Sequence, residues 1–442
     1  MRWTCAFVIL VACGGDDGPS GITDADADGD GGSAATGWAQ RFGGYGDDEA
    51  LGLALDADGN IYFVGTFNGR ISFGDEMYEG VGSYVASLDP DGAVRWAHEL
   101  ASTVLVTASA VAAGPDVVHV VGSGAGILDL GGSPADAGAW IAPFHARYAF
   151  DGTHELSMIA GQRLADGGTG YSHGVGVGAD GTTWIGGTFG QQQGAQMQFG
   201  DTTLTVEGGS EAFVAAFAPD GSVPVARTAG DNINGVVVTS TSMTTTGTFS
   251  GTIDLGGGSM TASGGADLLV ASFDLTGAHR WTYSIGSAAI DYGYAVAVHG
   301  SRTYVSGIVG GRATLIALDD GGTLAWKQDP VAGIGQALAV DADGNVYLAG
   351  RLDADATVGT TTLSHAGGSD AFVISYTDAG VVRWAAAYGS TGHDNATGIA
   401  VDAAGRVYVT GYFKRAVDFG GTLLESDQSS TTDVFVLRID PP

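Results

Sequence analysis

From Trp38 to the C-terminus, apolar residues alternate at two-residue spacing, and the alternating runs come in pairs joined by short polar turns. The clearest pairs are LGLALDADGNIYFVGTF (51–67), LAVDADGNVYLAG (338–350) and IAVDAAGRVYVTGYF (399–413). In each, an apolar run meets an Asp/Gly turn, and a β-branched run then ends in glycine. Asp bonds its own backbone in such turns and Gly supplies the positive φ, so each pair predicts a β-hairpin. The closing glycine recurs at Gly65, Gly122, Gly187, Gly247, Gly307, Gly350 and Gly411, with gaps of 57, 65, 60, 60, 43 and 61 residues. A spacing that regular is a structural period, and units of this size must stack on neighbours to bury a core.

Each unit reads as four strands. In the first these are LGLAL (51–55), IYFVGTF (61–67), YVASL (84–88) and VRWAHEL (94–100), here called a, b, c and d. A tryptophan follows the c–d glycine by four residues in four units (Gly92 to Trp96, Gly277 to Trp281, Gly322 to Trp326, Gly380 to Trp384), which predicts a packing role on the outer strand. Most b–c connections carry an apolar pair, a glycine turn and a further apolar position, as in ISFGDEMYEG (71–80) and VDFGGTLLESD (417–427), predicting small protruding hairpins. The fifth unit (VGGRATLIAL, 309–318) drops this insertion, which accounts for the 43-residue gap.

The seventh unit stops after strand c. Its missing strand sits at the other end of the chain, where GWAQRFGG (37–44) parallels RWAAAYGS (383–390). A split unit of this kind closes a ring and removes exposed sheet edges, whereas a solenoid would carry capping units. The expected fold is therefore all-β, a seven-bladed β-propeller over 37–442 with the last blade completed by the strand around Trp38.

The whole unit (W-x3-F/Y-G-G/S, an acidic loop, D-x-x-G-x-V/I-Y, then F-G-G and D-x-F-V) resembles the bacterial β-propeller repeat family of secreted and surface proteins. The resemblance spans essentially all of 37–442 and speaks to fold, with almost nothing to say about activity. The turn and tryptophan are also similar to repeats of quinoprotein-like propellers, whose rings typically have eight blades without the long b–c insertions.

Ahead of the repeats the chain opens MRWTCAFVILVAC, an apolar stretch too short to span a bilayer but suited to a secretory signal. Its end, Leu10-Val11-Ala12-Cys13, resembles the lipobox of bacterial lipoproteins. That resemblance implies cleavage after residue 12, acylation of Cys13 and attachment to a membrane. Gly14 follows the cysteine, where inner-membrane retention commonly uses aspartate, so the implied location is an outer-membrane lipoprotein, facing the periplasm or the cell surface. Residues 13–36 read as the anchored cysteine and an acidic tether with a reach of roughly 25 Å. Within it DADADG (24–29) begins like a calcium loop, but Ala35 stands where the bidentate glutamate belongs.

The net charge is -32 with only two lysines, Lys327 and Lys414, which excludes the basic stripe a nucleic-acid partner requires. No catalytic constellation emerges. GVGADG (176–181) matches a phosphate-loop pattern but leads into a strand, and the nine histidines, among them His98, His119, His173, His299 and His393, show no ligand-like pairing. Turn formation explains Asp56, Asp58, Asp341 and Asp343. The remaining candidates lie in the d–a loops: Asp47-Asp48-Glu49, Asp231-Asn232, Asp291-Tyr292 and Asp394-Asn395. On a propeller these share one face around the channel mouth, where oxygen donors suit a hard cation or a polyhydroxyl ligand, though Asx-type turns would use the same residues. The expectation is a non-enzymatic binding or scaffold module with a protein or polysaccharide ligand. Calcium is the one cofactor considered, at Asp47, Asp231, Asp291 and Asp394. The alternative is a glycan-active hydrolase or lyase.

Overall fold

Asp56 shows how the local sequence makes a hairpin. Its Oδ1 accepts the N–H groups of Asp58 and Asn60 at 3.0 and 2.9 Å, and Gly59 takes φ of 80°. Asp341 and Asp402 repeat the arrangement. These aspartates are consumed by their turns.

The computed structural model describes residues 35–164 and 168–441. The signal segment, Cys13 and the tether up to residue 34 lie outside the described residues. Among the described residues there is no helix, and the main sheets are antiparallel and follow chain order. The first holds Asp48–Leu55, Ile61–Phe73, Glu76–Leu88 and Val94–Ser102, and a short hairpin (Ile127–Asp129, Ala135–Asp136) extends its edge. The second holds Leu105–Ala113, Val117–Ala125, Ala142–Ala149 and His154–Ile159. Four more of the same plan begin at Gly170, Asn232, Tyr292 and Gly333. The last joins Asn395–Val401, Val407–Lys414 and Thr432–Asp440 to the N-terminal strand Ala35–Phe42, which starts two residues earlier than the sequence suggested.

Strand a of each sheet lies against strand a of the next, and Asn395–Val401 lies against Asp48–Leu55. Apolar clusters fill the spaces between sheets. One of them joins Phe42, Tyr408, Val434 and Val436 to Leu53, Phe63 and Phe73 across the two ends of the chain. This is β-propeller architecture.

The recurrent glycine has a steric cause. Strand a carries a β-bulge in all of these sheets, for instance between Ala50 and Gly52, Ser172 and Gly174, or Ala396 and Gly398. The bulge pushes a strand-a carbonyl onto the facing glycine. A Cβ on Gly65 would stand 2.0 Å from Glu49 O, and one on Gly411 would stand 1.9 Å from Asn395 O. The ring of Tyr84, Phe144, Phe213 or Phe435 covers the glycine from strand c. The bulged residue also stitches sheets together: Asn234 Nδ2 donates to Gly293 O at 2.7 Å, and Thr397 Oγ1 to Ala50 O at 2.8 Å.

The outer tryptophans pack between units as expected. Trp96 Nε1 donates to Phe150 O at 3.1 Å and its ring lies over Gly152; Trp326 does the same with Asp378 O and Gly380. Trp38 reaches Pro90 O and Gly92, so the N-terminal strand behaves like any other strand d. The b–c hairpins form, for example Gln196–Phe199 with Thr202–Thr205, while Val309 and Arg312 of the fifth unit pair directly across a tight turn.

Candidate functional site

Strand register decides which loop carboxylates are equivalent. Asp231, Asp291 and Asp394 each sit two residues before the partner of the recurrent glycine, and in the first sheet that place belongs to Asp48. Asp47 is one residue further out, where its Oδ1 accepts Thr432 N–H at 3.1 Å. The grouping of Asp47 with the other three is thus out of register by one.

These aspartates tie each d–a loop to the neighbouring b–c connection. Asp394 accepts Ser390 N–H at 2.6 Å and Lys414 N–H at 2.8 Å. Asp291 accepts the N–H of Ser287 and, at 2.8 Å, that of Gly310. Asp231 accepts Ser250 N–H at 2.8 Å, and Asp48 accepts Gly44 N–H at 3.1 Å. Burial pushes the Asp48 carboxyl up to about 8, assisted by the Asp433 and Asp47 charges and opposed by the Gly44 and Asn68 N–H groups. Asp48 therefore holds its proton more tightly than an exposed carboxyl. Burial raises Asp394 as well, against the N–H donors of Lys414 and Ser390.

A second set of acids, not singled out from the sequence, begins strand c. Ser263 N–H reaches Asp267 at 2.9 Å, Ala366 N–H reaches Asp370 at 2.7 Å, and Asp427 N–H reaches Asp433 at 2.9 Å. The D-x-F-V repeat contained Asp370 and Asp433, and DLLV (267–270) stands in its place at Asp267, but neither gave a hint that these acids pack beside the next unit's d–a loop. Oδ1 of Asp48, Asp267, Asp370 and Asp433 is buried with no hydrogen-bond partner.

The residues beside the first set face one another less than the sequence implied. Asn232 bonds within its neighbourhood, accepting from Thr188 Oγ1 and donating to Asn234 Oδ1. Tyr292 and Tyr294 have ring centroids 6.1 Å apart. Asn395 Nδ2 donates to Tyr412 Oη at 3.3 Å, and burial raises the carboxyl of Glu49.

Asp231 opens onto a cavity. A cleft of about 660 Å³ between the third and fourth units is lined by Glu207, Glu211, Asp231, Ser250, Asp254 and Thr228 among others. Asp47, Asp291 and Asp394 are not part of its wall. Burial lifts the Glu211 carboxyl, with the Asp231 and Glu207 charges adding and the Glu207 N–H opposing. The wall thus pairs a carboxyl with raised proton affinity and further oxygen acceptors. That set can bond to hydroxyls or approach a hard cation. Among the described residues no group of three or more His, Cys, Asp or Glu is already arranged to hold a metal.

The histidines depart from expectation. His119 and His145 lie on adjacent paired strands, diagonally across the ladder, with Nδ1 of His119 3.2 Å from Nε2 of His145. Both are buried, and Thr183 Oγ1 of the next unit is 2.9 Å from His119 Nδ1. Burial lowers His119 to about 3 and lowers His145 well below its usual range. Sequence spacing could not show a pairing that depends on strand register.

No family model matches the chain, and no curated protein matches it by sequence. Solved structures do resemble it. The endosialidase of phage phi92 has a TM-score of 0.45 at 10% identity, over 92% of this chain and 70% of that one. BamB from Moraxella catarrhalis gives 0.38 at 13% identity, over 92% and 99%. A gluconolactonase from Xanthomonas campestris gives 0.36 at 14% identity, over 92% and 91%. At such identities and TM-scores the likenesses carry no argument about activity, and the architecture rests on the strand pairing above.

Proposed function

We propose that this protein is an envelope- or surface-anchored lipoprotein whose propeller is a non-enzymatic binding or scaffold module. Its ring is a closed seven-bladed one, completed by Ala35–Phe42. Its ligand, a polysaccharide or a protein, binds on the face where d–a loops meet b–c hairpins. The observation that carries this is the open acidic cleft around Asp231, on the face the sequence singled out. Acylated Cys13 and the acidic tether hold the domain at the outer membrane. Calcium stays an expectation for Asp47, Asp231, Asp291 and Asp394, which among the described residues form no metal-ready group.

One observation favours the rival reading, a glycan-active hydrolase or lyase. Glu211, with its raised proton affinity, shares the cleft with Asp231, and two carboxyls in unlike environments are the raw material of acid–base catalysis. A glycan array and a hydrolysis screen with the full chain separate the two. Retention without product release supports the module, and released product that disappears in Glu211→Gln establishes the enzyme. Cys13→Ala should leave the membrane fraction, and its persistence there would end the lipoprotein assignment. Melting in millimolar calcium against chelator tests the cation, with a ligand at a hundred times its Kd worth about 2.7 kcal/mol.

A further inference from the structure

We propose a second binding site, separate from the acidic cleft and not resting on it: a saccharide-binding cleft walled by Trp140, taking the pyranose rings of a neutral polysaccharide. Trp140 follows the short strand Ala135–Asp136 in the second unit's b–c connection and belongs to none of the repeated tryptophan positions. It is 53% exposed, while the other tryptophans among the described residues are buried or half-buried. A single exposed ring is ordinary on a protein surface, and what sets Trp140 apart is its place in the wall of a cleft under a stacked guanidinium.

The ring is also held. The Arg163 guanidinium lies 4.0 Å from its centroid, a cation–π stack that covers one side of the indole and fixes its orientation. Arg163 comes from the strand Gln162–Arg163, which pairs with Gln196–Phe199 of the third unit's hairpin. Two units thus build the site, and the indole is positioned before any ligand arrives, which lowers the entropy cost of binding. Trp140 and Arg163 line a cleft of about 690 Å³ together with Asp136, Ser157, Met158 and Gln162. That volume is in the range of small-ligand sites.

The ligand class follows from the wall. A pyranose has an apolar C–H face that suits an indole and equatorial hydroxyls that both donate and accept. Asp136 uses Oδ1 to accept Gly138 N–H at 2.8 Å, leaving Oδ2 to accept from a hydroxyl, and the exposed Gln162 amide offers a donor and an acceptor. An anionic polymer would meet Asp136 and a chain of net charge -32, and a cationic ligand would meet Arg163. A neutral sugar meets neither obstacle.

The test is calorimetric titration of the full chain, purified in detergent, with cellohexaose, laminarihexaose, maltohexaose and mannohexaose. At least one should bind. Trp140→Ala should weaken that binding about tenfold or more, while Trp140→Phe, which keeps a flat ring, should stay within about threefold. Melting should be unchanged in both variants because the side chain is exposed, so a loss of binding cannot be a loss of fold. Failure of all four oligosaccharides to bind overturns the proposal, as does undiminished binding in Trp140→Ala. Binding that survives Trp140→Ala but is lost in Asp231→Asn assigns the sugar to the acidic cleft, so the two sites fail separately.

Discussion

The first and sixth sheets solve a buried polar problem that the second sheet leaves half solved. In the first, Tyr62 Oη donates to Asp56 Oδ2 at 2.7 Å and receives Arg95 Nη1 at 3.0 Å, and Arg95 also reaches Ser87 Oγ. The sixth repeats this with Tyr347, Asp341, Arg383 and Ser375. In the second sheet the equivalent of the tyrosine is His119, its strand-c partner is Arg147, and glycine (Gly114) stands at the turn. The result is the stacked pair His119–His145, with His119 Nε2, His145 Nδ1 and Arg147 Nε buried without partners. The two regions share the strand pairing, the bulge and its glycine. A polar network confers rigidity only when every member is satisfied, so the cluster around His119 is held more weakly than its counterparts around Tyr62 and Tyr347.

The largest expected effect tests the shared backbone. Gly122→Ala in the second sheet and Gly350→Ala in the sixth would each drive a Cβ to 2.0 Å from a carbonyl oxygen, and each should cost more than about 3 kcal/mol in urea unfolding. A clear difference between them would show that the two backbones are not equivalent.

Acid should then separate the regions. Both histidines have folded-state values below their unfolded ones, so the stability they confer is complete above about 6.5 and is lost as pH falls toward the folded values. Between pH 6.5 and 5.5 each buried neutral histidine removes about 1 kcal/mol. Differential melting of His145→Leu against the parent across that interval should show a flatter profile for the variant, and parallel profiles would refute the assignment.

Tyr347→Phe removes the hydroxyl that Asp341 and Arg383 both use, and should cost about 1–2 kcal/mol without changing the acid profile. A last comparison, at alkaline pH, concerns Asp48. Its folded value lies above the unfolded one, so it favours the folded state below about pH 4 and the advantage is lost as pH rises through about 8. Asp48→Asn keeps an acceptor for Gly44 N–H and does not titrate, so its melting should gain steadily on the parent as pH rises from 5 to 8 and level off by pH 9. A constant difference across that interval would place the raised proton affinity elsewhere.

The period, the Asp/Gly turns, the outer tryptophans and the strand around Trp38 were all legible in the chain, because each depends on neighbours within a few residues or on simple recurrence. Alternation names the strands, and a glycine every sixty residues or so names the unit. Register is another matter. A one-residue slip exchanges the faces of a strand, and only the paired ladder shows that Asp48 and not Asp47 matches Asp231, Asp291 and Asp394. The bulge that makes the recurrent glycine necessary is a carbonyl of another strand, so the sequence marked the position without giving its cause. The same holds for His119 beside His145, for Glu211 beside Asp231, and for Arg163 over Trp140. Each joins residues 20–26 positions apart. Contacts of that kind are fixed by how sheets pair and stack, which is why the chain by itself determined the architecture and the tertiary structure alone decided which side chains meet.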